Sequence, residues 1–177
     1  AFTGTGKMGN GLSVDGSGDS AESGTTSIDT GGTWSIEAWM KTDDTSDGTI
    51  VFLGDFDGND EDNDLSIGLG SSDEVKFCED SCAGFGKSYT TSGVNLATDT
   101  WYHVAIVRDG ADFNMFIDGV KGTLTTSTAV SVSSSFADYS APLTIGRGFY
   151  VDRMLRGYLD EIRVSKGIAR WTSNFDA

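Results

Sequence analysis

The stretch TWYHVAIVRDGADFNMFIDG, residues 100–119, constrains the fold more than any other part of the chain. Phe113, Met115 and Ile117 recur at every second position, and an apolar run precedes them from Val104 to Val107. That period is the repeat of a strand with one face turned to a core, not of a helix. Asp109-Gly110 and Asp118-Gly119 punctuate it, and Asp-Gly between alternating apolar runs is a hairpin signal. The two runs therefore read as consecutive antiparallel strands.

Other runs follow the same rule. TWSIEAWMKT puts Trp34, Ile36, Ala38 and Met40 on one face and Ser35, Glu37, Trp39 and Lys41 on the other. TIVFLGDF is apolar throughout, as for a strand covered on both faces. DLSIGLG turns Leu65, Ile67 and Leu69 inward, and EVKFCED adds Val75 and Phe77. PLTIGRGF and LRGYLDEIRVSK read as the last strands, with a loop over residues 127–141 between them and the central hairpin. Leu159 and Ile162 have opposite parity, so a bulge near Asp160–Glu161 is needed to bring both to one face. About ten short strands over 177 residues make one all-β domain, with two antiparallel sheets packed face to face. No internal repeat or domain boundary interrupts residues 1–177. The start on Ala1, without an initiator Met, reads as a processed or excised piece of a larger protein or assembly.

The formal charge of −15 repels phosphate backbones and anionic membranes, which argues against nucleic-acid partners. No apolar run is long enough for a membrane-spanning helix, and membrane insertion is not expected. Two cysteines stand in CEDSC, Cys78 and Cys82. With a single histidine far along the chain, they do not complete a zinc set. A local disulfide in an oxidising compartment is the preferred reading, with two free thiols as the alternative.

The ordered series TWSIEAWMK, TWYHVAIVRDG, FNMFIDGVK, PLTIG and GYLDEIRVSKGIARW resembles the laminin-G-like, concanavalin-A-like jelly-roll domains. The resemblance implies a jelly-roll sandwich whose LDEIRV strand closes beside the N-terminal one. The tail SKGIARW resembles forms of the domain found in secreted bacterial and phage virion proteins. Such domains include lectins, adhesion modules, glycan hydrolases and lyases, and structural decorations, so the fold leaves the function to be argued from its sites.

An enzyme is not expected. A glycan hydrolase needs paired carboxylates across a cleft, and no clustered E-x-D-x-x-E strand is present. Lyases of this fold want a His/Tyr pair with Arg and Gln, and the chain has no Gln. His103 falls inside WYHVAIV and reads as framework.

Two places offer oxygen ligands for Ca²⁺. By the resemblance, Asp160 of the LDE motif holds a structural cation, with Asp15 and Asp19 as companions. The segment GDFDGNDEDNDL carries Asp55, Asp57, Asp60, Glu61, Asp62 and Asp64. Its spacing is not that of an EF-hand: Leu65 falls where a loop starting at Asp60 needs Gly. A solvated acidic turn is the alternative. For a sugar, exposed aromatics beside polar groups are required. Trp39, Arg147, Tyr150 and Tyr158 are the candidates, while Trp34 and Trp101 are assigned to the core. The expected function is non-catalytic recognition outside the cell, at a cell surface or on a virion. The expected ligand is a glycan or cell-surface polysaccharide, with calcium assisting. The alternative is a structural or decorating subunit that binds other members of its assembly.

Overall fold

A computed structural model describes residues 4–29, 32–45, 48–53, 65–79, 87–92, 94–110, 112–126, 138–148 and 154–177. Among them are fourteen strands and no helix. In chain order these are β1 (Gly4–Thr5), β2 (Asn10–Asp15), β3 (Ala21–Asp29), β4 (Trp34–Thr42) and β5 (Gly48–Leu53). There follow β6 (Leu65–Leu69), β7 (Val75–Glu79), β8 (Lys87–Ser92), β9 (Tyr102–Asp109) and β10 (Asp112–Ile117). The last four are β11 (Val120–Lys121), β12 (Thr123–Thr126), β13 (Asp138–Ile145) and β14 (Arg156–Lys166). They form two seven-stranded sheets, β1-β2-β14-β4-β9-β10-β11 and β12-β8-β7-β6-β5-β13-β3, antiparallel throughout.

The alternation read from the sequence sets the core. Trp34, Ile36, Ala38 and Met40 of β4 pack with Val104, Ile106, Phe113, Met115 and Ile117 of the neighbouring hairpin. The second sheet faces them with Val51, Leu53, Leu65, Ile67, Val75 and Phe77. Trp34 lies 6.0 Å from the Phe77 ring across the two sheets. Every residue of β5 is buried, as an apolar run covered on both faces should be.

The closing strand lies beside the N-terminal one: β14 runs between β2 and β4. Its bulge falls where parity demanded it. Asp160 opposes Trp39 but Arg163 opposes Glu37, so three steps on β14 match two on β4. Glu161 takes the left-handed conformation there, with φ 48°. Leu159 is buried and Ile162 packs against the same core cluster.

Two expectations need correction. Residues 138–141 belong to β13 rather than to a loop, and they pair with β3, a strand that carries no apolar alternation. β3 is rich in Ser and Thr and residues 138–141 read DYSA, so neither shows an apolar period, and backbone pairing along a sheet edge forms the ladder without that signal. β8, KSYTTS, is a further strand that the sequence reading did not name, since its residues show no apolar alternation. Trp101 is partly exposed, one step before β9 and on its outward side, whereas Trp34 is fully buried.

The first sheet has a second, smaller cluster on its outer face. Ala105, Val107 and Phe116 point away from the sandwich core and are covered by Ala169, Trp171 and Phe175 of the C-terminal segment. That segment is tied down along its length. Ser35 Oγ donates to the Ile168 carbonyl at 2.7 Å and accepts from Arg170 N at 2.9 Å. Phe175 N donates to the Gly119 carbonyl at 2.9 Å, and Asn174 Oδ1 accepts from Lys121 N at 2.9 Å. Gly119 has φ 74°, and a Cβ there would strike the Phe175 carbonyl, so the contact needs glycine.

Candidate functional site

Alternation sends Glu37 and Trp39 of β4 and His103 of β9 to the outer face of the first sheet. Strand register sets Asp160, Trp39 and His103 side by side in one row, and Arg163, Glu37 and Ala105 in the next. The C-terminal segment walls one side of this floor, and the connection between β1 and β2 walls the other. Between them lies a concavity of about 700 Å³. Its floor is Glu37, Trp39 and His103, and its walls include Lys7, Arg163 and Trp171.

Glu37 organises the floor. It is 4% exposed, and a lone carboxylate so deep would be costly. His103 Nε2 meets its Oε2 at 3.0 Å, and Arg163 donates to Oε1. Arg170 Nε stands 3.7 Å from the same oxygen. Burial pushes the Glu37 carboxyl up, but the hydrogen bonds from His103 and Arg163 and their charges outweigh it and hold it below its ordinary value. An ionised Glu37 only accepts, so His103 Nε2 carries a hydrogen toward it.

His103 is in turn boxed by rings. Trp39 lies 5.2 Å away edge-on, and Trp171 and Phe175 lie at 5.8 and 5.7 Å, both near perpendicular. Trp171 and Phe175 stack on each other at 4.1 Å. The wall beside Trp39 is therefore rigid aromatic surface. Trp39 itself is partly exposed, with Lys7 Nζ 4.1 Å from its ring centroid.

The structure places the sequence candidates unevenly. Trp39 lies in the concavity. Tyr158 lies on the same sheet face, opposite Lys41, and Lys41 Nζ is 5.0 Å from its ring. Arg147 is elsewhere, beside Met154 at the end of β13. Tyr150 and the acidic residues Asp55, Asp57, Asp60, Glu61, Asp62 and Asp64 lie outside the described residues, as does Cys82. Cys78 is buried on β7.

Register sets Asp15 apart from Asp160, with which Asp15 and Asp19 were grouped. Asp15 opposes Arg156, four residues along β14 from Asp160. Its Oδ1 accepts from Ser17 N at 2.8 Å, which forms a local turn. Asp160, 8% exposed, accepts from Met8 N at 2.7 Å and from Glu161 N at 2.9 Å. It thus fastens the β1–β2 connection to the β14 bulge. Among the described residues no group of three or more His, Cys, Asp or Glu is placed to share a metal ion.

Sequence reasoning did not find Glu37, Lys7, Arg163, Trp171 or Phe175. The partners of Glu37 come from β9, β14 and the tail, far from it along the chain. Its place on the polar face of TWSIEAWMKT beside Trp39 was the available signal, and Trp171 and Phe175 were aromatics left over after the last strand.

Comparison with known proteins adds a family. A laminin-G model described as "Concanavalin A-like lectin/glucanases superfamily" matches residues 15–170. No curated protein matches. Among solved structures, domain 4 of an extracellular arabinanase from Geobacillus stearothermophilus, solved with arabinotriose, is similar with a TM-score of 0.67 at 20% identity. That match covers 96% of this chain and 76% of that one. The CBM40 of a Ruminococcus gnavus IT-sialidase gives a TM-score of 0.61 at 11% identity, over 87% and 92% of the two chains. A pentraxin from Limulus polyphemus gives 0.59 at 16% identity, over 99% and 76%.

Proposed function

Since the chain belongs to the concanavalin A-like lectin/glucanase superfamily, we propose that it is a non-catalytic carbohydrate-recognition module whose site is the concavity over Trp39. The single observation that carries this reading is the concavity itself. It has the size of a small-ligand pocket and combines aromatic walls with a few convergent polar groups. The aromatic faces of Trp39 and Trp171 offer surfaces for the C–H face of a sugar ring. Lys7 and Arg163 offer donors to its hydroxyls. Glu37 is committed to His103 and Arg163, and so serves as a support rather than as an acid or base. Solved relatives of the fold carry oligosaccharides, arabinotriose in one case and sialyllactose in another, which supports the same class of ligand here.

Calcium as a helper ion belongs to this proposal, supported by the acidic segment between β5 and β6. Placement outside the cell or on a cell or virion surface also belongs to it, supported by the acidic charge and the CEDSC pair. The test is a glycan array run with and without EDTA, followed by calorimetry on each hit with wild type and Trp39→Ala. Binding that Trp39→Ala weakens at least about tenfold, with the fold intact by circular dichroism, is the expected result. An array without a hit, or hits indifferent to Trp39→Ala, overturns the reading and favours an assembly subunit.

A further inference from the structure

Beyond the concavity the same sheet face carries a second aromatic row. Register places Tyr158 of β14 opposite Lys41 of β4. Since Met40 opposes Tyr102, Trp101 is the next residue on β9's outward side. Lys41 Nζ lies 5.0 Å from the Tyr158 ring centroid and 5.9 Å from that of Trp101. All three side chains are partly exposed. This row lies two residues along β4 from Trp39, which is about 7 Å at the rise of a strand.

We propose that Trp101, Lys41 and Tyr158 form a second sugar subsite continuous with the concavity, so that the ligand is an extended oligosaccharide lying along β4 rather than a single sugar. The inference rests on the carbohydrate reading above and adds the direction and length of the ligand.

Three observations support it. First, the row is built rather than incidental. The Tyr158 ring packs over Gly4 of β1, where a Cβ would come within 2.5 Å of it, so the absence of a side chain at Gly4 makes the seat for the phenol. Trp101 precedes a residue pinned by its own hydroxyl, since Tyr102 OH accepts from Ala97 N at 3.0 Å. Second, carboxylates outnumber Lys and Arg by 27 to 12 in this chain, yet among the described residues Lys41 makes no ion pair. Its three donors are available to hydroxyl and ring oxygens. Third, the rings are the residues that a sugar needs and a core does not: partly exposed, rigid, and on the face turned away from the main core. A chain of sugars seated on Trp39 and running along β4 meets this row next.

The test is a calorimetric length series, using arabinan, cellulose and chitin oligosaccharides from monosaccharide to hexasaccharide. Wild type is expected to bind the hexasaccharide of its preferred series at least about tenfold more tightly than the disaccharide. Trp101→Ala and Lys41→Gln are expected to remove that gain and leave disaccharide affinity unchanged, whereas Trp39→Ala weakens both. Lys41→Gln keeps the test sound if Trp101→Ala fails to fold. Trp39-dependent binding that does not depend on length, or a length gain that both variants keep, overturns this inference and leaves the carbohydrate reading standing. Absence of binding at every length in all three series defeats the carbohydrate reading and this inference with it.

Discussion

Glu37 Oε2 and His103 Nε2 stand 3.0 Å apart on the floor of the concavity, and both residues are more than nine-tenths buried. The bond joins β4 to β9 directly under the rings of Trp39 and Trp171. Arg163 reaches the other oxygen from β14, so one carboxylate fixes three adjacent strands. Glu37→Gln keeps the shape and removes the charge. It should cost about 2 kcal/mol in urea unfolding, the range of a charge-assisted hydrogen bond. The half-exposed Arg163 contributes the lesser part, because solvent screens it. A loss below about 0.5 kcal/mol, the size of an ordinary surface substitution, would show that the cluster carries no stability.

The same pair gives a pH dependence. The Glu37 carboxyl is held below its ordinary value of 4.5 in the folded chain. Its contribution is therefore complete above that value and is lost as the pH falls through the lower folded-state value. Wild type should lose stability below about pH 4.5 more steeply than Glu37→Gln, and the two curves should converge in acid. Chemical denaturation across the acid range measures the difference. Parallel curves would contradict the assignment.

Much of the fold was readable because apolar residues at every second position survive averaging over any tertiary context. Trp34, Ile36, Ala38 and Met40 told their own story, and so did the parity break at Leu159–Ile162. What could not be read was whatever depends on a partner far along the chain. β3 and residues 138–141 pair along their backbones, and their sequences carry no apolar period. Glu37 became central only when register set Arg163 beside it and folded Arg170 over it. Trp101 reads as core because it adjoins an apolar run, but position rather than company decides its exposure. It sits one step outside β9, on the parity of His103 rather than that of Val104.

Glu161 is the strained residue of the site. It holds φ 48° at the β14 bulge, is exposed, and lines the concavity. A side chain in that region costs roughly 1 kcal/mol that glycine does not incur. Glu161→Gly should therefore raise stability by about 0.5 kcal/mol after the entropy of the freer unfolded chain is subtracted. Glu161→Val should lower it by more than 1 kcal/mol, roughly, since a β-branched residue tolerates that region least. Melting temperatures of the two variants give the answer, and the reverse order would show that the bulge relaxes when its residue changes.

Phe175 couples the tail to the site. It stacks on Trp171 at 4.1 Å, meets Phe116 edge-on at 5.4 Å, and its backbone is bonded to Gly119. Phe175→Ala leaves the main core untouched, because its contacts belong to the small outer cluster. It should cost about 1–2 kcal/mol, less than truncating a fully buried phenylalanine. It should also loosen the Trp171 wall, so glycan affinity should fall together with stability. Affinity retained at full strength would place the wall outside the binding site.

Calcium is tested most directly by heat. The acidic segment joins β5 to β6, whose last and first residues, Leu53 and Leu65, are paired. It brings six carboxylates into twelve consecutive residues with no basic residue among them. A divalent ion would relieve their mutual repulsion, and weak Ca²⁺ sites bind in roughly the 0.1–1 mM range. Adding Ca²⁺ at ten times that level should raise the melting temperature by several degrees, and EDTA should reverse it. The double variant Asp60→Asn, Asp62→Asn should lose the calcium response and keep the EDTA-treated stability. Asp160→Asn separates the two candidate places. It should lower stability by about 1–2 kcal/mol with or without calcium, because its carboxylate is already engaged by Met8 N and Glu161 N. A calcium response that disappears in Asp160→Asn and persists in the double variant would move the ion to the closing strand. No response in wild type would remove calcium from the proposal.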